Sequence, residues 1–343
     1  MLLDAASLYF RAFHGVPQSV TGPDGTPVNA VRGLVDFIAY LVRAHPPDRL
    51  VACMDADWRP AWRVAAVPSY KAHRLSPGGG ETVPAALVPQ VPLIEDLLDA
   101  VGIARLGVPG YEADDVIGTL AASAAGPVDV VSGDRDLFQL VRDDLPVRVL
   151  YTAKGVGRLS VVDEAEVTRR YGIPGRAYAD LALLRGDPSD GLPGVGGIGE
   201  RTAAALVSRF GSIEEIRQAL DAGTESGFPP GARTRLAAAR DYLEAAEPVV
   251  RVATDVPLPQ LADRLPAAPA DPAALVELSR RWGLDSPLNR LLAALAKAAD
   301  PAAQPAQPVP RPTRPPSRPA RPVPRPARPV PRPTDPPAQP TEL

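Results

Sequence analysis

In the stretch Val108-Pro-Gly-Tyr-Glu112-Ala-Asp114-Asp115, three carboxylates fall within four residues. An apolar helical run follows them: Val116, Ile117, Leu120 and Ala121. Pro109-Gly110 interrupts the chain just before, so Glu112 to Asp115 should form the first turn of a helix. One or two acids suit that place, because unpaired N–H groups and the positive dipole end favour anions. Three acids crowded together repel one another and need a counter-charge, which a divalent metal ion supplies.

Other carboxylates are placed to join them. Leu2-Leu3 reads as a short buried strand ending in Asp4, followed by a helix from Ala5 to about Phe13. Helical apolar spacing runs over 28–44 and stops at His45-Pro-Pro. Leu50–Met54 reads as a second apolar strand with Asp55 at its end, and Pro84–Ala100 as a helix. Ile103–Val108 reads as a strand, and Val128–Val131 as another that runs into Ser-Gly-Asp134-Arg-Asp136. Strands alternating with helices give an α/β fold with a parallel sheet covered on both faces. Ligands bind beyond the carboxyl ends of such strands, so Asp4, Asp55, Asp134 and Asp136 should meet on one edge with the Glu112 trio. A single Asp after a strand is an ordinary turn residue; four, together with the trio, point to a shared site.

Beyond Tyr151 the chain reads as mostly helical. Asp187-Pro-Ser-Asp190 places two more acids in a turn, and a Gly-rich hairpin enters an apolar helix at Gly199. Helical stretches follow at Ile213–Leu220, Ala232–Ala246, Pro272–Trp282 and Leu288–Ala299. From Pro301 to Leu343, Pro-Arg repeats hold 17 of the 43 prolines, a composition that cannot bury a core and reads as a disordered, polyproline-like tail.

Charge divides along the same line. The tail carries seven arginines against Asp335 and Glu342, about +5, so with a total of −3 the body carries about −8. An acidic body argues against nucleic-acid binding by charge alone, unless its acids gather around metal ions. The lone Cys53 excludes an internal disulfide and fits a reducing compartment. Met-Leu-Leu-Asp lacks a basic n-region, and no apolar run reaches the ~20 residues of a membrane span. These features lead to the expectation of a cytoplasmic, soluble protein; a monomer is a separate expectation that they do not fix.

Two motifs invite other readings. Gly194-Val-Gly196-Gly-Ile-Gly199 matches a dinucleotide-binding fingerprint by letter, but a turn rather than a strand precedes it. It fits a helix-hairpin-helix whose backbone N–H groups grip phosphates without reading bases. Asp55-Ala-Asp57 after a strand is also the pattern of phosphatases with an aspartyl nucleophile, which would leave the remaining acids unexplained.

Taken together, the chain resembles the bacterial 5′-nuclease (flap endonuclease) superfamily, the family of the N-terminal 5′→3′ exonuclease domain of DNA polymerase I. The matching blocks are Leu3-Asp4 with Phe10-Arg-Ala-Phe-His14, Met54-Asp55, and Pro68-Ser-Tyr-Lys-Ala-His-Arg74. Next come Pro109-Gly-Tyr-Glu-Ala-Asp-Asp115, Gly133-Asp-Arg-Asp-Leu-Phe-Gln139, Gly186-Asp-Pro-Ser-Asp190 and the hairpin from Leu192 to Ala203. They run in family order over about residues 1–298, with no polymerase domain following, as in a stand-alone form. Departures are Phe10 where an aromatic hydroxyl is usual, His73 for Asn, Gly191 after Asp190, and the Gly-rich segment Leu75–Pro84 where the family places its helical arch.

The resemblance implies a Rossmann-like (PIN-like) nuclease domain over 1–165, a helix-hairpin-helix (H3TH) DNA-binding domain over 166–298, and the tail over 299–343. It implies a two-metal 5′→3′ exonuclease and flap endonuclease acting on DNA ends, flaps, nicked duplex or RNA primers in replication and repair. Carboxylates without a Cys/His set suit two Mg²⁺ or Mn²⁺ ions rather than zinc. Asp4, Asp55, Glu112 and Asp114 would hold the first ion, and Asp134, Asp136 and Asp190 the second, with Asp115 and Asp187 supporting. Lys71 and Arg74 would stabilise developing phosphate charge, and Tyr70 would stack on a terminal base. Lys71 is one of only three lysines, beside Lys154 and Lys297. Further DNA contacts would come from Arg11, Arg63, and the hairpin residues Gly194, Gly196, Gly197, Ile198, Gly199, Arg201 and Thr202, where a monovalent cation would also sit. A non-catalytic branched-DNA binding module stays open as the alternative, with the aspartyl phosphatase more remote.

Overall fold

The computed structural model describes residues 1–299; the tail from residue 300 lies outside the described residues. In chain order the elements are β1 (Leu2–Asp4), α1 (Ala5–Gly15), α2 (Asn29–Ala44), β2 (Val51–Cys53), α3 (Ala61–Ala66), α4 (Gln90–Val101) and β3 (Ala104–Leu106). They continue with α5 (Ala113–Ser123), β4 (Val128–Ser132), β5 (Val147–Tyr151), β6 (Ser160–Val162), α6 (Glu164–Tyr171) and α7 (Tyr178–Arg185). The last are α8 (Glu200–Phe210), α9 (Ile213–Asp221), α10 (Ala232–Ala238), α11 (Arg240–Val250), α12 (Pro272–Trp282) and α13 (Asp285–Ala299). No helix among the described residues is long and apolar enough to cross a membrane.

The six strands form one sheet in the order β3-β2-β1-β4-β5-β6. All pairs are parallel except β5 with β6. The chain moves outward from β1 in both directions, so the crevice beyond the carboxyl ends of β1 and β4 is the switch point of the sheet. Strand residues alternate between the two faces: Leu2, Val51, Cys53 and Val130 enter one core, while Leu3, Ala52 and Val131 enter the other.

The first core is roofed by α5 and by the helices α7 to α11, the second by α1, α2, α4, α12 and α13. The final two helices therefore return to the starting layer instead of staying with the hairpin. Leu284, Leu288, Leu291 and Leu295 are buried there, α13 lies on α2, and Arg290 pairs with Asp36 at 2.8 Å. Antiparallel backbone hydrogen bonds fix the crossing, from Leu50 N to Asp263 O and from Leu265 N to Asp48 O.

Three local expectations change. The helix expected from Pro84 begins at Gln90, because the prolines at 84 and 89 and turns at Leu87 and Gln90 occupy its first residues. The single helix expected over 232–246 is two, α10 and α11, parted at Ala239. The region after Tyr151 opens with the antiparallel edge strand β6 before helix takes over.

Candidate active site

Asp4 ends β1 and caps α1, its Oδ1 accepting from Ser7 N at 3.0 Å, while Ser132 Oγ donates to its Oδ2 at 2.5 Å. Asp55 follows β2 and accepts from the first amide of α5, Ala113 N, at 2.7 Å. Asp134 follows β4 and accepts from Asp136 N at 2.8 Å. These three acids, with Glu112 and Asp114 at the N-terminus of α5, line a single cavity of about 230 Å³. Lys71, Arg74, Ser7, Phe10 and Glu81 also line it. The strand ends and the helix start thus converge as the sheet topology requires.

Asp136, Asp187 and Asp190 stand beside Asp134 as a second group. Asp136 is raised well above the usual carboxylate range by burial and then by the charges of Asp134, Asp190 and Asp187. Burial, followed by Asp134, Asp4 and Glu112, raises Asp114 in the same way. Asp4 is pushed up to about 7, chiefly by desolvation, with Asp55 and Asp134 adding to it. Asp134 is also raised, again first by desolvation. Asp136 Oδ1 is buried without a hydrogen-bond partner. Asp187 accepts from Ser189 N and Oγ and lies 3.6 Å from Arg185. Asp190 accepts from Arg74 Nη2 at 3.0 Å.

Crowded anionic oxygens, with buried polar atoms left over, fit a hard divalent cation in chemistry. As the side chains stand, no three His, Cys, Asp or Glu residues among the described residues are gathered into a set that could hold an ion. Asp4, Asp55, Glu112, Asp114 and Asp134 line a common cavity without closing into a cage, and Asp136, Asp187 and Asp190 lie outside its lining.

Behind the cavity lies a cationic network. Arg63 is 2 % exposed and donates to Glu112 Oε2 at 2.8 Å and to both oxygens of Asp115 at 2.6 and 2.8 Å. Tyr70 OH donates to Glu112 Oε2 at 2.7 Å and Lys71 Nζ to Glu112 Oε1 at 2.6 Å. Burial lowers the Lys71 pKa, but Glu112 and Asp190 outweigh it and hold the ammonium charged. Glu112 is raised by burial, against the pull of Lys71 and Arg63. Lys71 has φ 47°, a left-handed backbone otherwise held only by glycines among the described residues. It is fixed by Lys71 N donating to Asp190 O at 2.9 Å. Gly191, at φ 71°, allows that approach, since a Cβ there would meet Ser69 O at 2.2 Å.

Several expected roles change. Asp115, expected in a supporting role, is outside the cavity lining, and Arg63, Glu112 N and Ala253 N take up its oxygens. Tyr70 is 2 % exposed and cannot stack on a base as placed. Arg63 is likewise out of reach of DNA, because two buried carboxylates hold it inside. Of the hairpin residues, Ile198 is buried in the core and Gly194 N donates to Tyr242 OH, so neither offers a free contact. Gly196, Gly197, Gly199 and Arg201 are exposed, Thr202 is half-buried, and Gly199 starts α8. Arg11 lies half-buried near Gly133, with its Nε unpartnered. Asp57 accepts from Arg59 N at 3.2 Å in a turn, outside the cavity lining.

Glu81 is the acidic cavity residue that sequence reasoning missed. The segment where an arch was expected is a tight hairpin: Ser76 N donates to Gly80 O at 2.7 Å and Thr82 N to Arg74 O at 2.8 Å. Leu75 bridges Glu81 across it. The half-buried Glu81 carboxyl is raised by desolvation and by Asp55, with Arg74 and Lys71 opposing. A flexible-looking Gly run gives no periodic signal for where its next acid will point.

Two family models cover this architecture. Residues 1–172 match the 5′-3′ exonuclease N-terminal resolvase-like domain, and residues 173–273 the 5′-3′ exonuclease C-terminal SAM fold. A 5′-3′ exonuclease of Streptomyces coelicolor is 62 % identical over 300 residues, covering 86 % of this chain and 99 % of the relative. The chain belongs to the 5′-3′ exonuclease family. A 5′-3′ exonuclease of Mycobacterium tuberculosis is 53 % identical over 86 % of this chain and 97 % of its own length. DNA polymerase I of the same organism is 38 % identical, matching 88 % of this chain but 32 % of the polymerase. Among solved structures, the T5 5′-exonuclease with divalent metal ions (zinc) shares the fold at TM-score 0.57 and 17 % identity, covering 88 % of this chain and 99 % of that one. The catalytic core of Rad2 in complex with DNA substrate does so at TM-score 0.52 and 18 % identity, over 86 % and 92 % of the two chains. The family models meet at residues 172 and 173, seven residues beyond the boundary expected from sequence.

Proposed function

We propose that this 5′-3′ exonuclease hydrolyses phosphodiester bonds of DNA at 5′ ends and flaps with divalent cations held at the sheet edge. The observation that carries the reading is the single cavity where Asp4, Asp55, Glu112, Asp114 and Asp134 face Lys71 and Arg74. Asp4, Asp55, Glu112 and Asp114 would hold one Mg²⁺ or Mn²⁺ ion, and Asp134, Asp136 and Asp190 a second, with Asp187 supporting. Bound there, the ions supply activation of a water nucleophile and neutralisation of phosphate charge.

The chain's own residues do the rest. Lys71 and Arg74 place cationic charge over the position of the scissile phosphate and stabilise the charge that develops on it. Arg63 and Tyr70 orient Glu112 from behind, so that carboxylate keeps its place when Lys71 turns to substrate. The exposed Gly196, Gly197 and Gly199 backbone and Arg201, at the N-terminus of α8, grip duplex phosphates away from the cut.

A 5′-labelled flap duplex incubated with Mg²⁺, with chelator, and with the Asp134→Ala variant tests the reading. Cleavage is expected with Mg²⁺ alone, and binding in all three conditions. Binding without cleavage under every condition would favour a branched-DNA binding module, and cleavage that survives the chelator would refute the metal mechanism.

A further inference from the structure

The hairpin Leu75–Thr82 hangs one acid into a cavity that already holds a full complement of carboxylates on the sheet edge. Asp4 and Glu112 are buried at the floor, whereas Glu81 is half-buried and comes from a surface turn. Its carboxylate forms no ion pair and no side-chain hydrogen bond among the described residues, although Lys71 and Arg74 line the same cavity. Both cations are engaged elsewhere, Lys71 by Glu112 and Arg74 by Asp190 and Ser189 O. Glu81 therefore adds, on the hairpin side of the cavity, a carboxylate that Lys71 and Arg74 attract without pairing with it.

Resting on the nuclease reading above, we propose that Glu81 is a specificity-determining residue. Its charge opposes the phosphates of a strand that runs on past the scissile bond, and so favours cutting at a 5′ end over cutting inside a continuous flap. A recessed or nicked 5′ end places no further phosphates beyond its terminal one. A long flap must lead a run of them past the hairpin, where each meets a like charge in a partly desolvated mouth. The floor acids would be neutralised by bound cations, whereas Glu81 reaches the same cavity from a surface turn and not from a strand end.

The test compares kcat/KM for end release from a nicked duplex with that for internal cleavage of a long 5′ flap, both with Mg²⁺, in the full chain. The variants are Glu81→Gln, Glu81→Asp and, as a remote control, Glu225→Gln, an exposed acid between α9 and α10. Thermal melts verify that each is folded. Glu81→Gln is expected to shift the flap-to-end ratio toward the flap by roughly three- to tenfold, with the gap closing as salt is raised. Glu81→Asp and Glu225→Gln should stay within about twofold of the starting ratio. An unchanged ratio in Glu81→Gln, a shift toward end release, or an equal fall in both rates would overturn the proposal. Failure of the unaltered protein to cut either substrate would instead overturn the nuclease reading on which it rests.

Discussion

At the residue scale, one arginine decides how the site is built. Arg63 sits between Glu112 and Asp115 with no solvent to share their charge. Removing one member of a buried ion network leaves the others uncompensated, at a cost of about 3–5 kcal/mol. Arg63→Met is therefore expected to lower unfolding free energy by about that amount in a denaturant titration. A loss below about 1 kcal/mol would show that the carboxylates find other partners. Sequence could identify the acids, because their chemistry follows from type and position after strands. The family resemblance set Asp114 as a ligand and Asp115 as support, but the residues alone did not show that one lines the cavity and the other turns inward to Arg63. Nor did they show that Tyr70 and Arg63, next to a motif of obvious phosphate chemistry, face inward. Which way a side chain turns within the first turn of a helix depends on what packs there, and here the packing partner, Ala253, lies 138 residues away.

At the scale of elements, α5 is held from outside by the segment that leaves α11. Ala253 N donates to Asp115 at 2.8 Å, Val256 N to Thr119 Oγ1 at 3.2 Å, and Gln139 binds both Val250 O and Val252 N. Gly118 makes room for this segment: a Cβ there would lie 2.6 Å from Ala253 O and 2.9 Å from Val252 Cγ2. Gly118→Ala, which ordinarily favours a helix, is expected here to destabilise by about 1–3 kcal/mol through overpacking. Calorimetry that found the variant more stable would dissociate α5 from the segment above it. The strands β1, β2 and β4 and the helices α1, α2, α9 and α12 were legible from periodicity and caps; α12 begins at the Pro272 that follows its Asp271 cap. The start of α4, the break at Ala239 and the antiparallel β6 were not, since each is set by tertiary neighbours rather than by the local pattern.

For the molecule as a whole, crowded acids make stability depend on pH. The folded-state pKa of Asp4 is about 7 against an ordinary 3.8. Between those values the folded protein keeps a proton that the unfolded chain has released. Its contribution to metal-free stability is thus fully present below about pH 3.8 and is lost as pH rises through about 7. Asp114, Asp134 and Asp136 act in the same direction. Divalent cations bind the deprotonated form and oppose the slope. In chelator, Tm should fall from about pH 5 to about pH 7.5, and added Mg²⁺ should raise Tm more at the upper pH than at the lower. Equal Mg²⁺-induced shifts at both would contradict a shared ion site.

The return of α13 to α2 bears on how the polypeptide matures. A ribosome releasing this chain exposes the α2 face early, and its cover, Leu288 to Leu295, emerges some 250 residues later. Until then that layer is an open apolar wall, a state that invites aggregation or chaperone capture. A gene fragment ending at residue 172 would encode every strand of the sheet and most of the acids, yet would lack the lid that keeps the wall dry.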